Sequence, residues 1–456
     1  MANRLAVLFG KILSNSNINI PIWENPLTSC GVSAIMGTNQ SQIRIGDMEF
    51  MIQRKEYLNR LIAWKDEQVI KVVTGIRRCG KSTLLDLYKE YLSTCGANSE
   101  QIVTVNFEEL ENEWLLDYKV LYDYLVKKLQ KGKMTYIFLD EIQKVDDFEK
   151  VVDSLYVKKN VDIYITGSNS YLLSSELSTL LSGRYVEIKM LPFSFKEYLL
   201  SNDSADKELL FAEYLKNGSF PYVATMLGTD EKVNAYLEGI YNTVIVKDIE
   251  ERQNRKEKEV GKRKITDIAL LKNISKYLAS IIGSPVSIKG IADYIVSSGR
   301  KVSQNTVDDY IEALTEAFVF YSVDRFDISG KQLLKQNGKY YIVDLGLRRY
   351  LLPKRNYDLG FSIENVVYLE LLRRGYTVNI GKVGNREVDF VAKLGDNTEY
   401  IQVSASLTEQ STFDREMASL RAIKDNYPKT ILTLDKFTLG NYEGIEVKNV
   451  IDWLLD

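Results

Sequence analysis

The sequence predicts an α/β fold built around a parallel β-sheet, and three observations favour it. Runs of β-branched and apolar residues, typical of buried strands, occur at residues 69–73, 102–105, 136–139 and 161–165. Helical stretches lie between these runs, and strands that alternate with helices favour a parallel sheet covered on both faces. A glycine-rich loop joins the first strand to the helix that follows it.

Length and composition indicate a multidomain globular protein. The chain has 456 residues, more than one core usually serves, and its 45% hydrophobic and 27% charged residues show no sign of general disorder. The formal net charge of −3 excludes a globally basic nucleic-acid binder, although local basic patches remain open. The three cysteines form no CxxC pair, and the first apolar run, residues 5–9, is too short for a signal peptide or a membrane span. We therefore expect a cytoplasmic protein without a membrane partner.

The absence of histidine restricts the chemistry that the chain can perform. It removes Ser-His-Asp catalysis, histidine metal ligation and the usual general base. Any reaction must therefore rest on carboxylates, lysine, arginine and hydroxyl groups.

The glycine-rich loop matches the P-loop pattern, also called Walker A, at every specified position. The predicted nucleotide-binding residues are Gly75, Ile76, Arg77, Arg78, Cys79, Gly80, Lys81, Ser82 and Thr83. Glycines let the backbone wind around phosphates, so that amide N–H groups and the helix N-terminus point at anionic oxygen. We expect Lys81 to reach the β- and γ-phosphates of ATP and the Ser82 hydroxyl to ligate Mg²⁺.

A second motif downstream resembles a Walker B strand. The apolar residues 136–139 lead into two carboxylates, Asp140 and Glu141. Asp140 is expected to hold Mg²⁺ through water, and Glu141 to polarise the water that attacks the γ-phosphate. Two acids after a strand often cap a helix instead, but the P-loop upstream favours the catalytic interpretation.

Two further polar positions are candidates for catalysis. The strand at 161–165 leads to Ser168 and Asn169, and Asn169 or Ser168 is the candidate that orients the water or senses the γ-phosphate. Capping of the next helix is the alternative. Arg184 suits an arginine finger that completes the ATP site of a neighbouring subunit, which predicts a homo-oligomer such as a ring. An ordinary surface arginine is the alternative there.

The whole chain divides into five predicted regions. Residues 1–50 form an N-terminal extension without clear periodicity, and residues 51–200 form the P-loop domain. Residues 201–264 predict a helical lid followed by a basic linker. Three helices and a β-ribbon within residues 265–350 predict a winged helix. Residues 351–456 follow the order helix, strand, strand, helix, strand, which predicts a separate α/β domain.

The order of the motifs resembles a prokaryotic AAA-type ATPase family with a C-terminal domain of unknown function. The segments that carry this resemblance are residues 75–82, 139–143, 166–170, 182–184, 218–221, 339–348 and 387–390. The resemblance runs from about Met51 to the end of the chain. It implies an AAA core, a winged helix and a C-terminal domain similar to the restriction-endonuclease fold.

The C-terminal region is predicted not to cut DNA. A nuclease of the restriction-endonuclease type needs carboxylates for Mg²⁺ and a lysine that positions water. Glu364 and Asp389 stand where the first acids would be, but the following strand offers Gln402 in place of the next acid and Ser404 in place of the lysine. We expect Glu364 and Asp389 to be hydrogen-bonded structural acids.

Two uses of ATP remain open, and DNA is the favoured target. An oligomeric motor or switch would bind DNA without sequence specificity through the basic run at residues 252–264. Further cations flank the third helix of the predicted winged helix and its ribbon: Arg300, Lys301, Arg325, Lys331 and Lys335. Against this role, that helix carries Asp308, Asp309 and Glu312, which would repel phosphates. The alternative is a signalling or defence module that acts on a protein partner, and additional domains disfavour a metabolite kinase.

Overall fold

The computed structural model describes the greater part of the chain after residue 51. The described residues are 52–168, 183–202, 206–226, 229–244, 249, 267–353 and 358–456, without the side chains of residues 335–337. The predicted N-terminal extension and the basic run therefore lie outside the described residues. From Glu49 onward the chain forms one compact unit. Within the described ranges, every helix is too short or too polar to cross a bilayer.

Five strands form the first sheet, and all of their pairings are parallel. In the spatial order β2-β3-β4-β1-β5, they are β1 (Ile70–Thr74), β2 (Ile102–Asn106), β3 (Thr135–Asp140), β4 (Val161–Gly167) and β5 (Tyr185–Lys189). Every residue of β1, β3 and β4 is buried, as expected of a sheet covered on both faces. The predicted α/β class is confirmed.

Helices cover the two faces of this sheet. They are α1 (Lys55–Ala63), α2 (Lys81–Thr94), α3 (Tyr118–Lys128) and α4 (Phe148–Tyr156). Successive side chains of a strand point to opposite faces. Val73 accordingly belongs to the same apolar cluster as Leu84 of α2, whereas Val72 belongs to the cluster of Leu121 in α3. The sheet is thus the middle of three layers.

Short helices follow the sheet. The first is α5 (Phe195–Leu200), at the end of the predicted P-loop domain, and the region predicted to be a lid contains α6 (Lys207–Asn217), α7 (Pro221–Thr225) and α8 (Asp230–Asn242). Pro221 occupies the first turn of α7, where a residue without an N–H group is tolerated. Phe195 of α5 makes edge contacts with Phe211 and Tyr214 of α6, which fixes these two helices against each other.

Three helices and a ribbon come next, in the order that the sequence predicts. They are α9 (Ile268–Ser280), α10 (Ile288–Ser297), α11 (Gln304–Glu316), β6 (Phe320–Asp327) and β7 (Gln332–Ile342). The ribbon is not free on both edges, however, because β6 also pairs in parallel with β8 (Thr377–Val383). Residues 265–350 and 351–456 consequently share one sheet, although the sequence predicts two separate regions there.

That second sheet has eight strands of mixed direction, in the order β12-β13-β11-β10-β9-β8-β6-β7. The remaining elements of this region are α12 (Leu345–Leu351), α13 (Leu359–Arg373), β9 (Arg386–Leu394), β10 (Asn397–Ser404), α14 (Gln410–Arg421), β11 (Lys429–Thr433), β12 (Gly440–Tyr442), β13 (Ile445–Asn449) and α15 (Val450–Leu455). The predicted helix, strand, strand, helix, strand order corresponds to α13, β9, β10, α14 and β11. The sequence analysis missed α12, β8, β12, β13 and α15.

One apolar cluster extends from the P-loop side of the first sheet to the second sheet. It contains Tyr57 of α1, Leu237 of α8, Leu271 of α9 and Phe390 of β9. Polar contacts reinforce the same junction, since the backbone N–H of Ser219 donates a 2.5 Å hydrogen bond to Asp344 at the start of α12. The regions predicted as separate domains therefore pack around a continuous core.

Candidate nucleotide site

The P-loop lies between β1 and α2, as the motif requires. Gly75 has a φ of +149°, and a Cβ atom there would lie 2.1 Å from the carbonyl oxygen of Met190. Gly80 has a φ of +100° and Arg78 a φ of +68°. The loop therefore winds through backbone conformations that glycine adopts most easily. Ile76 and Cys79 anchor it by burying their side chains.

Lys81 and Ser82 are the last residues of the P-loop motif and the first residues of helix α2. Lys81 is only 5% exposed, and its Nζ donates a 3.0 Å hydrogen bond to the carbonyl oxygen of Gly75. Ser82 is exposed and Thr83 is half-buried. The first backbone N–H groups of α2 lack partners within the helix and, with the helix dipole, favour an anion at this end.

The two carboxylates of the second motif lie at the end of β3, directly opposite the loop. Glu141 Oε1 is 3.7 Å from Lys81 Nζ, and the backbone N–H of Glu141 donates a 2.9 Å hydrogen bond to Thr166 Oγ1. The Thr166 hydroxyl in turn donates to Asp140. Because parallel strands end at one edge of the sheet, β1, β3 and β4 bring these groups together.

The ionisation of the two acids differs for identifiable reasons. Burial raises the pKa of Asp140 above its ordinary value, and hydrogen bonds from Thr166 and Ser82 only partly offset this effect. Burial also acts to raise the pKa of Glu141, but Lys81, the Gln143 amide and Arg77 outweigh it, so that this pKa lies below its ordinary value. Glu141 is therefore held as a carboxylate, the form that accepts a proton.

The oxygen donors fit a magnesium ion. The Ser82 hydroxyl lies near enough to the Asp140 carboxylate to lower its pKa, so these two hard oxygen donors lie on the same side of the P-loop. Mg²⁺ in nucleotide sites typically takes one or two protein oxygens and completes its shell with phosphate and water. In the described part of the chain, no group of three acids or cysteines is arranged to hold a metal by itself.

The two arginines of the loop differ in their surroundings. Arg77 is half-buried and pairs with Glu108, with 3.3 Å between Nη2 and Oε1. Arg78 is exposed, and its charge lowers the pKa of Tyr236 in α8, although burial of that phenol has the larger, opposite effect. Arg78 thus faces the helical region across the mouth of the loop.

The remaining candidate residues have different outcomes. Ser168 lies at the site and is buried, whereas Asn169 lies outside the described residues. Arg184 precedes β5 and lies at the amino edge of the sheet, because β5 runs parallel to β1 with Tyr185 opposite Ile70. Its guanidinium pairs with Asp153 and packs 5.3 Å from the ring centre of Tyr156. Arg184 therefore does not contact the nucleotide site of its own chain, and its role in a neighbour stays a prediction.

Sequence analysis missed two residues that contact the site. Arg54 lies just before α1 and donates 2.9 Å and 2.7 Å hydrogen bonds to the carbonyl oxygens of Cys79 and Leu191. It also pairs with Glu197, with 2.7 Å between Nε and Oε1. Gln143 donates a hydrogen bond to Glu141. Gln143 belongs to the segment 139–143 that carries the family resemblance, which was a signal for it, whereas Arg54 lies far from the motifs in sequence and no pattern pointed to it.

The C-terminal sheet contains a buried cluster of charged residues. Lys339 Nζ lies 2.9 Å from Glu364 Oε1, 2.9 Å from Glu387 Oε1 and 3.7 Å from Asp389 Oδ1. The sequence analysis assigned Glu364 and Asp389 to one site but missed the lysine, because it comes from β7 and not from β10. Gln402 donates to Glu416 and accepts from the N–H of Asp389.

Comparison with known proteins finds two matching family models and similar solved structures. An AAA domain matches residues 67–199, and a domain of unknown function, DUF8612, matches residues 208–358. A Walker-type ATPase of Pyrococcus abyssi is similar in structure, with 14% identity, a TM-score of 0.45, and coverage of 66% of this chain and 96% of that one.

Two uncharacterized proteins are similar over most of their length. The protein from Haemophilus influenzae is 40% identical across 89% of this chain and 99% of its own. The protein from Methanocaldococcus jannaschii is 32% identical across 84% of this chain and 85% of its own. This chain therefore belongs to the family of AAA-domain proteins that these two relatives represent.

Proposed function

We propose that this chain hydrolyses ATP at its P-loop with Mg²⁺ as cofactor. The observation that supports this most strongly is the convergence of Lys81, Asp140 and Glu141 at one edge of the first sheet, with 3.7 Å between Lys81 and Glu141. A cation for phosphate, oxygen ligands for a metal and a buried carboxylate for water are the parts that phosphoryl transfer to water requires.

The P-loop binds the substrate in this proposal. Backbone N–H groups between Gly75 and Ser82 hold the phosphates, and Lys81 moves its ammonium from the carbonyl of Gly75 to the β- and γ-phosphate oxygens. Ser82 and Asp140 would hold Mg²⁺, which supplies neutralisation of phosphate charge when bound.

Glu141 orients the attacking water and accepts its proton in this proposal. Its carboxylate accepts a hydrogen bond from the water, whose oxygen forms a bond to the γ-phosphorus while the bond from that phosphorus to the β–γ bridging oxygen breaks. ADP keeps the bridging oxygen, and the water proton passes by way of Glu141 to the released phosphate. The lowered pKa of Glu141 keeps the carboxylate ready to accept that proton.

ATP turnover and nucleotide binding, measured on the same preparations, test the proposal. We expect Lys81→Ala to lose both, because the phosphate cation is gone. Glu141→Gln should bind ATP and lose turnover, since it keeps the shape but not the base. Glu90→Gln, an exposed acid on α2, is the matched control and should behave as wild type. Undiminished turnover in Glu141→Gln would remove that residue from its proposed role.

The finer part of the proposal is that an oligomer uses this turnover to act on DNA. The described residues around α11 weigh against groove binding by that helix. Asp308 and Glu312 are exposed, and Arg300 is neutralised by Asp267. Lys301 and Lys331 are the exposed cations that support DNA contact there. A protein partner is the alternative target, and it needs no cationic surface.

Turnover with added nucleic acid separates the two targets. ATPase activity is measured alone and with duplex, single-stranded and branched DNA at two salt concentrations. Stimulation that falls as salt rises supports DNA, because phosphate contacts release counterions. An ATPase rate that is unchanged by all three forms of DNA supports the protein partner instead.

A further inference from the structure

Gln143 is a buried side chain of the nucleotide site whose hydrogen-bonding capacity is only partly used. It lies on the single helical turn Ile142–Lys144, directly after Glu141, and is 6% exposed. Its Nε2 donates a 2.5 Å hydrogen bond to Glu141 Oε2. Its carbonyl Oε1 is buried without a partner among the described residues. A buried acceptor of this kind costs free energy unless a water or a ligand satisfies it.

Glu141 is restrained at its backbone and at one carboxylate oxygen. Its φ is +55°, and its N–H donates to Thr166, so the backbone orientation is set. Oε2 accepts from Gln143, while Oε1 faces Lys81 at 3.7 Å. Movement of Lys81 to bound phosphates would leave Oε1 as the oxygen available to water.

A second unpartnered group faces the same carboxylate. The Ser168 hydroxyl at the end of β4 lies near enough to influence the Glu141 carboxylate. Its Oγ is nevertheless buried without a hydrogen bond to any residue that the structure describes. Two buried oxygens without hydrogen-bond partners among the described residues, Gln143 Oε1 and Ser168 Oγ, thus lie near Glu141. An attacking water has two O–H groups, each of which can donate one hydrogen bond.

We propose that Gln143 is a positioning residue for the attacking water. Its Nε2 donates a hydrogen bond to Glu141 Oε2, so that Glu141 Oε1 faces the water. The Gln143 Oε1, with Ser168 Oγ, accepts a hydrogen bond from the second O–H group of the same water. Gln143 thereby orients both the base and the nucleophile without touching the phosphates. This role rests on the proposed ATPase activity and adds a residue that neither the P-loop nor the Walker B pair includes.

Two substitutions at this position test the role. Gln143→Met keeps the length of the side chain and removes the amide, and Gln143→Glu keeps the shape and adds a second carboxylate. The matched control is Gln101→Met, since the Gln101 amide donates a similar 2.8 Å hydrogen bond to Met134 at the opposite edge of the sheet. Thermal melting and ATP affinity show that each variant is folded and binds nucleotide.

We expect kcat of Gln143→Met to fall about 10- to 100-fold, as positional errors near 1 Å cost in enzymes, with KM unchanged. Gln143→Glu keeps the shape of the side chain but replaces the donating amide with a second acid, so its kcat should also fall while KM stays unchanged. A purely structural role would instead lower the thermal stability or the ATP affinity together with kcat.

The failures of the two proposals are distinguishable. Wild-type protein without turnover overturns the ATPase proposal and this role together. Turnover that is lost in Glu141→Gln but retained at the wild-type kcat in both Gln143 variants overturns the positioning role alone. An equal loss in Gln101→Met would also overturn it.

Discussion

Replacement of Lys339 by methionine should destabilise the C-terminal sheet strongly. The Lys339 side chain is 2% exposed and lies within 3.7 Å of Glu364, Glu387 and Asp389. Burial acts to lower the pKa of Lys339, but these three acids outweigh it and raise that pKa above its ordinary value. Methionine fills a similar volume and leaves the buried acids without their cation. Removal of one partner from a buried ion pair costs about 3–5 kcal/mol of unfolding free energy.

The pH dependence of this loss follows from the acids. Burial raises the pKa of Glu364 and of Asp389, and Lys339 opposes both shifts. Without the lysine, the folded-state pKa values rise further, so the folded variant binds more protons than the unfolded chain between the unfolded pKa values near 4 and the raised folded values. Its stability therefore falls as pH rises through that window. We expect the defect to be small near pH 4.5 and largest at neutral pH and above.

Urea unfolding followed by tryptophan fluorescence measures the effect, because Trp453 lies in α15 beside the second sheet. Lys448→Met is the control, since it removes an exposed lysine that pairs with Glu446 at 2.6 Å, and such surface pairs contribute about 0–1 kcal/mol. A Lys339→Met protein that unfolds at the wild-type urea concentration at pH 7.5 would refute the reasoning. So would a defect that does not shrink as the pH is lowered.

Three further predictions concern the rest of the chain. Arg54→Ala should weaken ATP binding, because the carbonyl of Cys79 in the P-loop loses its 2.9 Å hydrogen bond, and unchanged affinity in calorimetry would count against that link. Mixed assemblies of Arg184→Ala and Lys81→Ala subunits should regain some turnover if Arg184 acts on a neighbour, after leaving Asp153; mixtures that never regain activity would remove the support for a finger. The C-terminal region should not cleave plasmid, linear or branched DNA with Mg²⁺ or Mn²⁺, and cleavage that disappears in Asp389→Ala would show an active nuclease.

The expectation of an inactive C-terminal region now rests on different physical grounds. Sequence reasoning counted a missing lysine, but β7 supplies Lys339 to the carboxylates. Lys339 forms ion pairs with Glu364 and Asp389 and so already compensates the charge of the two acids that a metal would need. Gln402 in place of an acid remains the feature that sequence alone identified.

The sequence by itself determined four of the five strands of the first sheet and the nucleotide loop, because these depend on local information, whereas β5 was not predicted. Four buried strands are readable as apolar runs, and the conformations at Gly75 and Gly80 are encoded by residues that have no Cβ atom. Asp140 and Glu141 could be identified from the sequence because they stand at the end of one apolar strand. Functional residues that are adjacent in the chain can be recognised from the sequence pattern.

Tertiary structure alone decided the contacts between distant segments. Arg54 reaches Leu191 and Glu197, which are 137 and 143 residues away, and Lys339 meets Glu364 across 25 residues. The pairing of β6 with β8 joins residues 265–350 and 351–456, which the predicted order of helices and strands had divided into two regions. Such contacts depend on which strand edges and buried charges are adjacent in the folded protein. The hydrophobic periodicity of a single segment carries no information about the segment that it pairs with.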